Sequence, residues 1–253
     1  MNHPQPTANT RSHAGFSLVE LTIVLVIVAL LAGGLMFGMT GQREQLQNKE
    51  AHQQLDFIRD ALLGFAMSNG RLPCPADPTL VAGAGDEAAQ QCIVGRGHVA
   101  PYACIASDFQ CAREYGALPW RALGLPESDV WGNRFTYFVG YEFSDQLIKG
   151  EIDAGRRTRF TLDTNGRANI QDGLGNNIVS AIPAVIVSHG NRSAGAYLTT
   201  GTQLPGAAGD EAENANTTLT FISRTHNENF DDLVTWIIPT VLKSRMVAVG
   251  KLP

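Results

Sequence analysis

Nowhere in the chain is there a Cys-x-x-Cys pair, a His-Glu-x-x-His zinc-protease helix, a Gly-rich phosphate loop or a Gly-x-Ser-x-Gly elbow. Those absences remove zinc ribbons, zinc proteases, P-loop nucleotide enzymes and α/β-hydrolases from the readings the sequence supports. Charge is sparse as well: 17% of residues are charged and the formal net charge is −5. That balance offers no general attraction to nucleic acid or anionic membrane. The one basic cluster, Arg156, Arg157 and Arg159, lies beside Glu151 and Asp153 and reads as a solvated strand edge that resists edge pairing. Nucleic acid is therefore not an expected partner.

Charge is scarcest between Phe16 and Met39, where Glu20 is the only ionisable side chain. A helix of about two dozen residues at 1.5 Å rise crosses the ~30 Å hydrocarbon core of a bilayer. A carboxylate inside such a span costs at least ~2.5 kcal/mol, so a lone acid there needs a partner.

The stretch Gly15-Phe16-Ser17-Leu18-Val19-Glu20-Leu21 resembles the processing site of type IV pilins and type II secretion pseudopilins. The resemblance implies cleavage by a prepilin peptidase between Gly15 and Phe16, N-methylation of Phe16, and an assembly role for Glu20. Pairing the new Phe16 amine with Glu20, within a subunit or between neighbours, avoids two uncompensated buried charges and sets the register of a filament. A secretory signal peptide, with Arg11 as its basic residue and a cut near Ala29–Gly33, is one alternative; a plain single-pass anchor is another. The apolar run is longer than an ordinary signal core and carries an acid near its start, and the helical pattern continues past it.

The segment from Gln42 to Ser68 is rich in helix formers, and Leu55, Ile58, Leu62 and Phe65 recur at spacings of three and four. Asn69-Gly70 followed by Pro73 stops the helix. The predicted organisation is a leader at 1–15, a membrane half of the helix at 16–41, an amphipathic half at 42–69, a Cys/Pro/Gly-rich loop region at 70–133 and a sheet domain at 134–253. Gly33, Gly34, Gly38 and Gly41 interrupt the junction of the two helical halves.

Beyond Asn133 the period becomes two. Phe135–Tyr141, Ala184–Ser188, Leu219–Ser223 and Leu233–Ile238 read as strands, with Ala184–Ser188 central because it is nearly all apolar. Strands at Arg159–Asp163 and Ala168–Ile170 flank Asn165-Gly166, the strongest short hairpin signal. Leu204–Asn216 reads as a mobile surface loop, and Pro239 opens a last helix carrying Val241, Leu242 and Met246. The predicted fold is α+β and pilin-like, a long N-terminal helix packed on an antiparallel sheet. Asp129-Val130-Trp131-Gly132-Asn133-Arg134-Phe135 is similar to the Asp-Pro-Trp-Gly-x-Pro-aromatic stretch of major pseudopilins, with Val130 and Arg134 in place of the prolines. A buried Trp131 anchoring the loop is expected.

Cys74, Cys92, Cys104 and Cys111 are disulfide candidates in an oxidising compartment, with three pairings open. No catalytic residue and no cofactor is expected. Ser188-His189 could suggest a hydrolase, with Asp163 or Asp172 as third member, but His189 reads as a turn residue. Asp163-Thr164-Asn165-Gly166 fails as a calcium loop because its glycine comes fourth and no glutamate follows at the twelfth position. The resemblance implies calcium in the sheet loops of major pseudopilins, and Asp231-Asp232 with Glu228 is the place to look.

The functional expectation is a structural subunit, a minor pilin or pseudopilin, in the bacterial inner membrane with its globular domain in the periplasm, later part of a type IV pilus or type II secretion pseudopilus. Glu20 argues against the tip pseudopilins, which typically lack that acid. Implied partners are the prepilin peptidase, other pilin subunits and the inner-membrane assembly platform. The rival reading is a membrane-anchored periplasmic module binding DNA or calcium.

Overall fold

A single helix, α1, runs from Leu18 to Asn69 in the computed structural model, which describes residues 17–81, 85–91, 109–147 and 149–253, with backbone alone at 32–42, 89–91, 109 and 149–150. Gly15, Phe16, Cys92 and Cys104 lie outside the described residues. The chain divides into two units, 1–48 and 49–253.

In the first unit Ser17 starts the helix: its Oγ accepts the amide of Val19 at 3.4 Å and its carbonyl accepts that of Leu21 at 3.1 Å. Described side chains from Leu18 to Leu31 are exposed. Among the described residues no helix is long and apolar enough to cross a membrane; part of the span expected from Phe16 to Met39 lies outside them.

In the second unit α1 buries the expected stripe. Leu55, Ile58, Leu62 and Ala66 share one cluster with residues of the sheet and of the last helix. Phe65 is only half-buried, with the Arg71 guanidinium 5.4 Å from its ring.

After α1 come β1 (Ala89–Gln91), β2 (Phe109–Cys111), β3 (Tyr115–Ala117), α2 (Trp120–Leu123), β4 (Asn133–Arg134), β5 (Thr136–Val139), α3 (Tyr141–Ser144) and α4 (Lys149–Asp153). The chain continues through β6 (Ala168–Gln171), β7 (Asn177–Ile182), β8 (Ala184–Ser188), β9 (Tyr197–Leu198), α5 (Asp210–Ala215), β10 (Thr220–Ile222), β11 (Leu233–Trp236) and α6 (Pro239–Ala248).

The main sheet has the order β11-β8-β5-β3, antiparallel throughout. β8 is buried along its whole length. Ala184 and Ile186 join the α1 cluster with Tyr137, Val139, Leu242 and Met246, while Val185 and Val187 join a second cluster with Phe138, Ile170, Ile182 and Phe221. Burial on both faces explains why this strand shows no polar alternation. A second sheet, β10-β6-β7, carries the only parallel pair among the described residues, β10 with β6. The sheet domain is therefore mixed rather than purely antiparallel.

Several local expectations are corrected. No strand forms at Arg159–Asp163. Thr161 and Thr164 bond each other there, the Thr161 amide reaching the Thr164 hydroxyl at 2.9 Å, which competes with a ladder. Gly166 instead lies on the backbone of Ile182, so close that an added Cβ would come within 2.1 Å of its carbonyl carbon. The hairpin forms one strand later, where Asp172 accepts the amides of Leu174 and Asn176 at 2.8 and 2.9 Å and closes the β6–β7 turn. A bond from the Asn176 side chain, and next those two amide bonds, hold the Asp172 carboxyl below its usual range.

The arginine cluster is not a strand edge: Arg156 pairs with Glu151, and Arg157 donates to the Gly250 carbonyl. Trp131 is only half-buried, and the buried anchor of its loop is Arg134. This guanidinium bonds Glu127 and the carbonyls of Pro78, Leu80 and Thr199, and stacks 4.9 Å from the Trp120 ring. Arg134 thus ties the loop region to the sheet from the place of the family's proline.

Cys74 and Cys111 form a disulfide across 37 residues. On the loop-entropy model that crosslink is worth about 4 kcal/mol, so replacing both residues by serine should lower unfolding free energy by roughly that amount in a denaturant titration.

Candidate functional site

Glu20 stands in the first turn of α1, exposed, where the unpaired amides and the helix dipole favour an acid. Gly15 and Phe16, where cleavage is expected, lie outside the described residues.

At the end of β8, Ser188 and His189 are adjacent but serve different partners. Ser188 Oγ donates to Asp129 Oδ2 at 2.7 Å, and His189 Nε2 lies 2.8 Å from Thr136 Oγ1 on β5. Asp163 is exposed and Asp172 half-buried, each at a turn elsewhere. A serine whose proton goes to a carboxylate, both groups buried, is not poised as a nucleophile. His189 opens the turn that follows β8, its carbonyl accepting the Ser193 amide at 3.1 Å, and its side chain is fully buried. Burial raises the Asp129 carboxyl above its usual range, and bonds from Ser188 and from the amides of Asn133 and Trp131 oppose that.

Beyond His189 lies a cluster of three buried carboxylates: Glu211, Asp231 and Asp232 each offer an oxygen, and the three oxygens lie within 4.8 Å of one another. Glu211 comes from α5, inside the stretch read as a mobile loop, and its helix turns the side chain inward. The two aspartates precede β11.

The protein holds these groups from several sides. Arg192 donates its amide to Asp231 Oδ2 at 2.7 Å and its guanidinium to Glu211 Oε2 at 3.0 Å. The Asp231 amide donates to Glu211 Oε1 at 3.3 Å, and Asn214 Nδ2 donates to Asp232 Oδ2 at 2.9 Å. Asn214 also clasps both backbone groups of Ile222, tying the cluster to β10. Gly190, at φ +59°, makes the closest approach: a Cβ there would sit 2.5 Å from the Asp231 carboxyl carbon.

Asp231 Oδ1 and Asp232 Oδ1 are buried without a hydrogen-bond partner, as is His189 Nδ1. Three carboxylates face one guanidinium, that of the partly exposed Arg192. Burial, and next the charge of Asp232, raise the Glu211 carboxyl. Two unmatched negative charges and two orphaned hard oxygens suit a divalent cation with a preference for oxygen, and calcium fits best. Of the expected ligands, Glu228 does not take part: its side chain is exposed, and only its carbonyl reaches the site, accepting from Arg192. Glu211, Asn214 and Arg192 were missed. The run Asp210-Glu211-Ala212-Glu213-Asn214-Ala215, acids opening a series of helix formers, was the signal for the first two.

A helix that begins just past a Gly-Phe junction with an acid in its first turn, leading into an α+β sheet domain, defines a pilin-like protein. Residues 10–36 match the family described as the prokaryotic N-terminal methylation motif. The chain is 24% identical over 166 residues to the type II secretion system core protein G of Aeromonas hydrophila, a match spanning 66% of this chain and 93% of that protein. Both similarities point to the type IV pilin and type II secretion pseudopilin family. No solved structure gives a significant match.

Ser188→Ala should destabilise the domain by about 1–3 kcal/mol, because it strips a buried carboxylate of a donor. The lost bond is to the charged form of Asp129, whose folded titration is raised. The deficit should therefore be full at neutral pH and shrink as pH falls through that titration, as thermal melts of wild type and variant would show.

Proposed function

We propose that this chain is a structural subunit of a type II secretion pseudopilus, not an enzyme. It is inserted in the inner membrane through the apolar half of α1, with its sheet domain on the periplasmic side. Prepilin peptidase cuts between Gly15 and Phe16, Phe16 is N-methylated, and the assembly platform extracts the subunit into a filament of like subunits. The observation that carries this reading is the motif running without a break into α1, with Glu20 as the one acid of the apolar stretch. The choice of pseudopilus over pilus rests on similarity to a type II secretion core protein. Glu20 in the first turn lies close in sequence to the Phe16 amine that cleavage creates, so the two offset each other in a low-dielectric surrounding.

The test is the intact mass and N-terminal sequence of protein from native membranes. A chain starting at N-methyl-Phe16 is expected; a start near Gly33 or an uncut leader would overturn the reading. Gly15→Leu should block cleavage, whereas Glu20→Ala should be cleaved normally and fail to enter filaments.

The buried carboxylate cluster supports a second element of the function. Glu211, Asp231 and Asp232 hold a calcium ion that cross-ties α5 and the segment before β11, so the ion serves the fold rather than chemistry. A site filled to about 100 times its Kd stabilises the folded state by ~2.7 kcal/mol. Calcium should raise the melting temperature of the full-length protein in detergent, EDTA should reverse the rise, and Asp232→Asn should abolish it. Melting that ignores calcium would remove the ion from the account.

A further inference from the structure

We infer that His189 is a positioning residue for the cation site: the Asp232 carboxylate selects its tautomer, Thr136 holds its Nε2, and its Nδ1–H orients Asp232. This rests on the calcium reading of the cluster and adds a residue that does not belong to the carboxylate set itself.

His189 follows the last residue of β8, and Thr136 opens the neighbouring strand β5, paired across the ladder with Val187. The imidazole therefore stands against the two central strands of the main sheet. It is fully buried, with Nε2 2.8 Å from Thr136 Oγ1 and Nδ1 3.5 Å from Asp232 Oδ1. Both Nδ1 and Asp232 Oδ1 lack any hydrogen-bond partner, while the other oxygen of Asp232 is taken by Asn214.

A threonine hydroxyl can donate or accept, so Thr136 tolerates either tautomer. Asp232 does not. With the proton on Nε2, a nitrogen lone pair would face a carboxylate oxygen at 3.5 Å, both groups buried. With the proton on Nδ1, an N–H points toward the acid and Nε2 accepts from Thr136. The second arrangement is the one that leaves no repulsive contact. It gives a ligating carboxylate a fixed donor behind it, as outer-shell groups do at metal sites. At 3.5 Å the Nδ1–Oδ1 approach is longer than a formed bond, so the contact acts by limiting the orientations open to Asp232.

Two measurements on the full-length protein in detergent test this. In protein labelled with ¹⁵N-histidine, long-range ¹H–¹⁵N correlation reads the tautomer of each imidazole. His189 should carry its proton on Nδ1, and an Nε2–H ring would overturn the inference. Calorimetric titration with calcium chloride then gives Kd for wild type, His189→Leu, His189→Asn and Thr136→Val. Losing the orienting donor should weaken calcium roughly 10- to 100-fold in His189→Leu. His189→Asn, which keeps a donor near the Nδ1 position, should recover most of the affinity. Thr136→Val should weaken binding in the same direction but less.

Melts in EDTA record the purely structural cost separately, and should not show the recovery by asparagine in the same proportion. If wild type binds calcium and Thr136→Val and His189→Asn both bind it unchanged, with no loss in a folded His189→Leu, His189 has no positioning role. If wild type binds no calcium, the cation reading itself falls, and this inference with it.

Discussion

The domain depends on β8 being buried on both faces. Ala184 and Ile186 look to the side where Leu55, Ile58 and Leu62 of α1 are buried; Val185 and Val187 look to the side of Phe138, Ile170 and Phe221. Two clusters thus share one strand. Burying a large aliphatic side chain is worth ~1.5–3 kcal/mol, so the strand holds the helix and the second sheet together through a handful of residues. β5 and β11, its two neighbours, are placed by hydrogen bonds to it.

That arrangement also makes the polar site possible. The apolar run of β8 ends at Ser188, and the next residues meet acids: Ser188 meets Asp129, His189 faces Asp232, and Gly190 lies against Asp231. A buried charge needs a donor or a counter-charge in place before it can be tolerated. The central strand delivers the donors at fixed positions, and α5 and the segment before β11 bring the acids to them. Had the chain at Asp210–Ala215 been a loose loop, Glu211 would have stayed in water and no cluster would exist.

Arg134 shows the same logic elsewhere. A proline there would stiffen the loop by restricting its backbone. The arginine reaches the same end by bonding carbonyls from two separate segments, Pro78 and Leu80 on one and Thr199 on the other, a solution that works only because those carbonyls converge. The disulfide between Cys74 and Cys111 adds a covalent tie in the same loop region.

Much of this was legible in the chain itself. The processing motif is a run of adjacent residues, so no folding is needed to read it. The stripe Leu55, Ile58, Leu62 follows from helical spacing, the stop at Asn69-Gly70 from backbone preference, and the central place of Ala184–Ser188 from its unbroken apolar character. Each depends on neighbours in sequence. The hairpin was misplaced because Asn165-Gly166 and Asp172–Asn176 are both good turns locally, and only the approach of Gly166 to Ile182 decides which one closes a ladder. The cysteine pairing, the inward turn of Glu211 and the junction of His189, Asp232 and Thr136 were likewise decided by tertiary structure. Those groups lie far apart along the chain, and their energies come from desolvation and charge, which act through space and leave no period in the sequence.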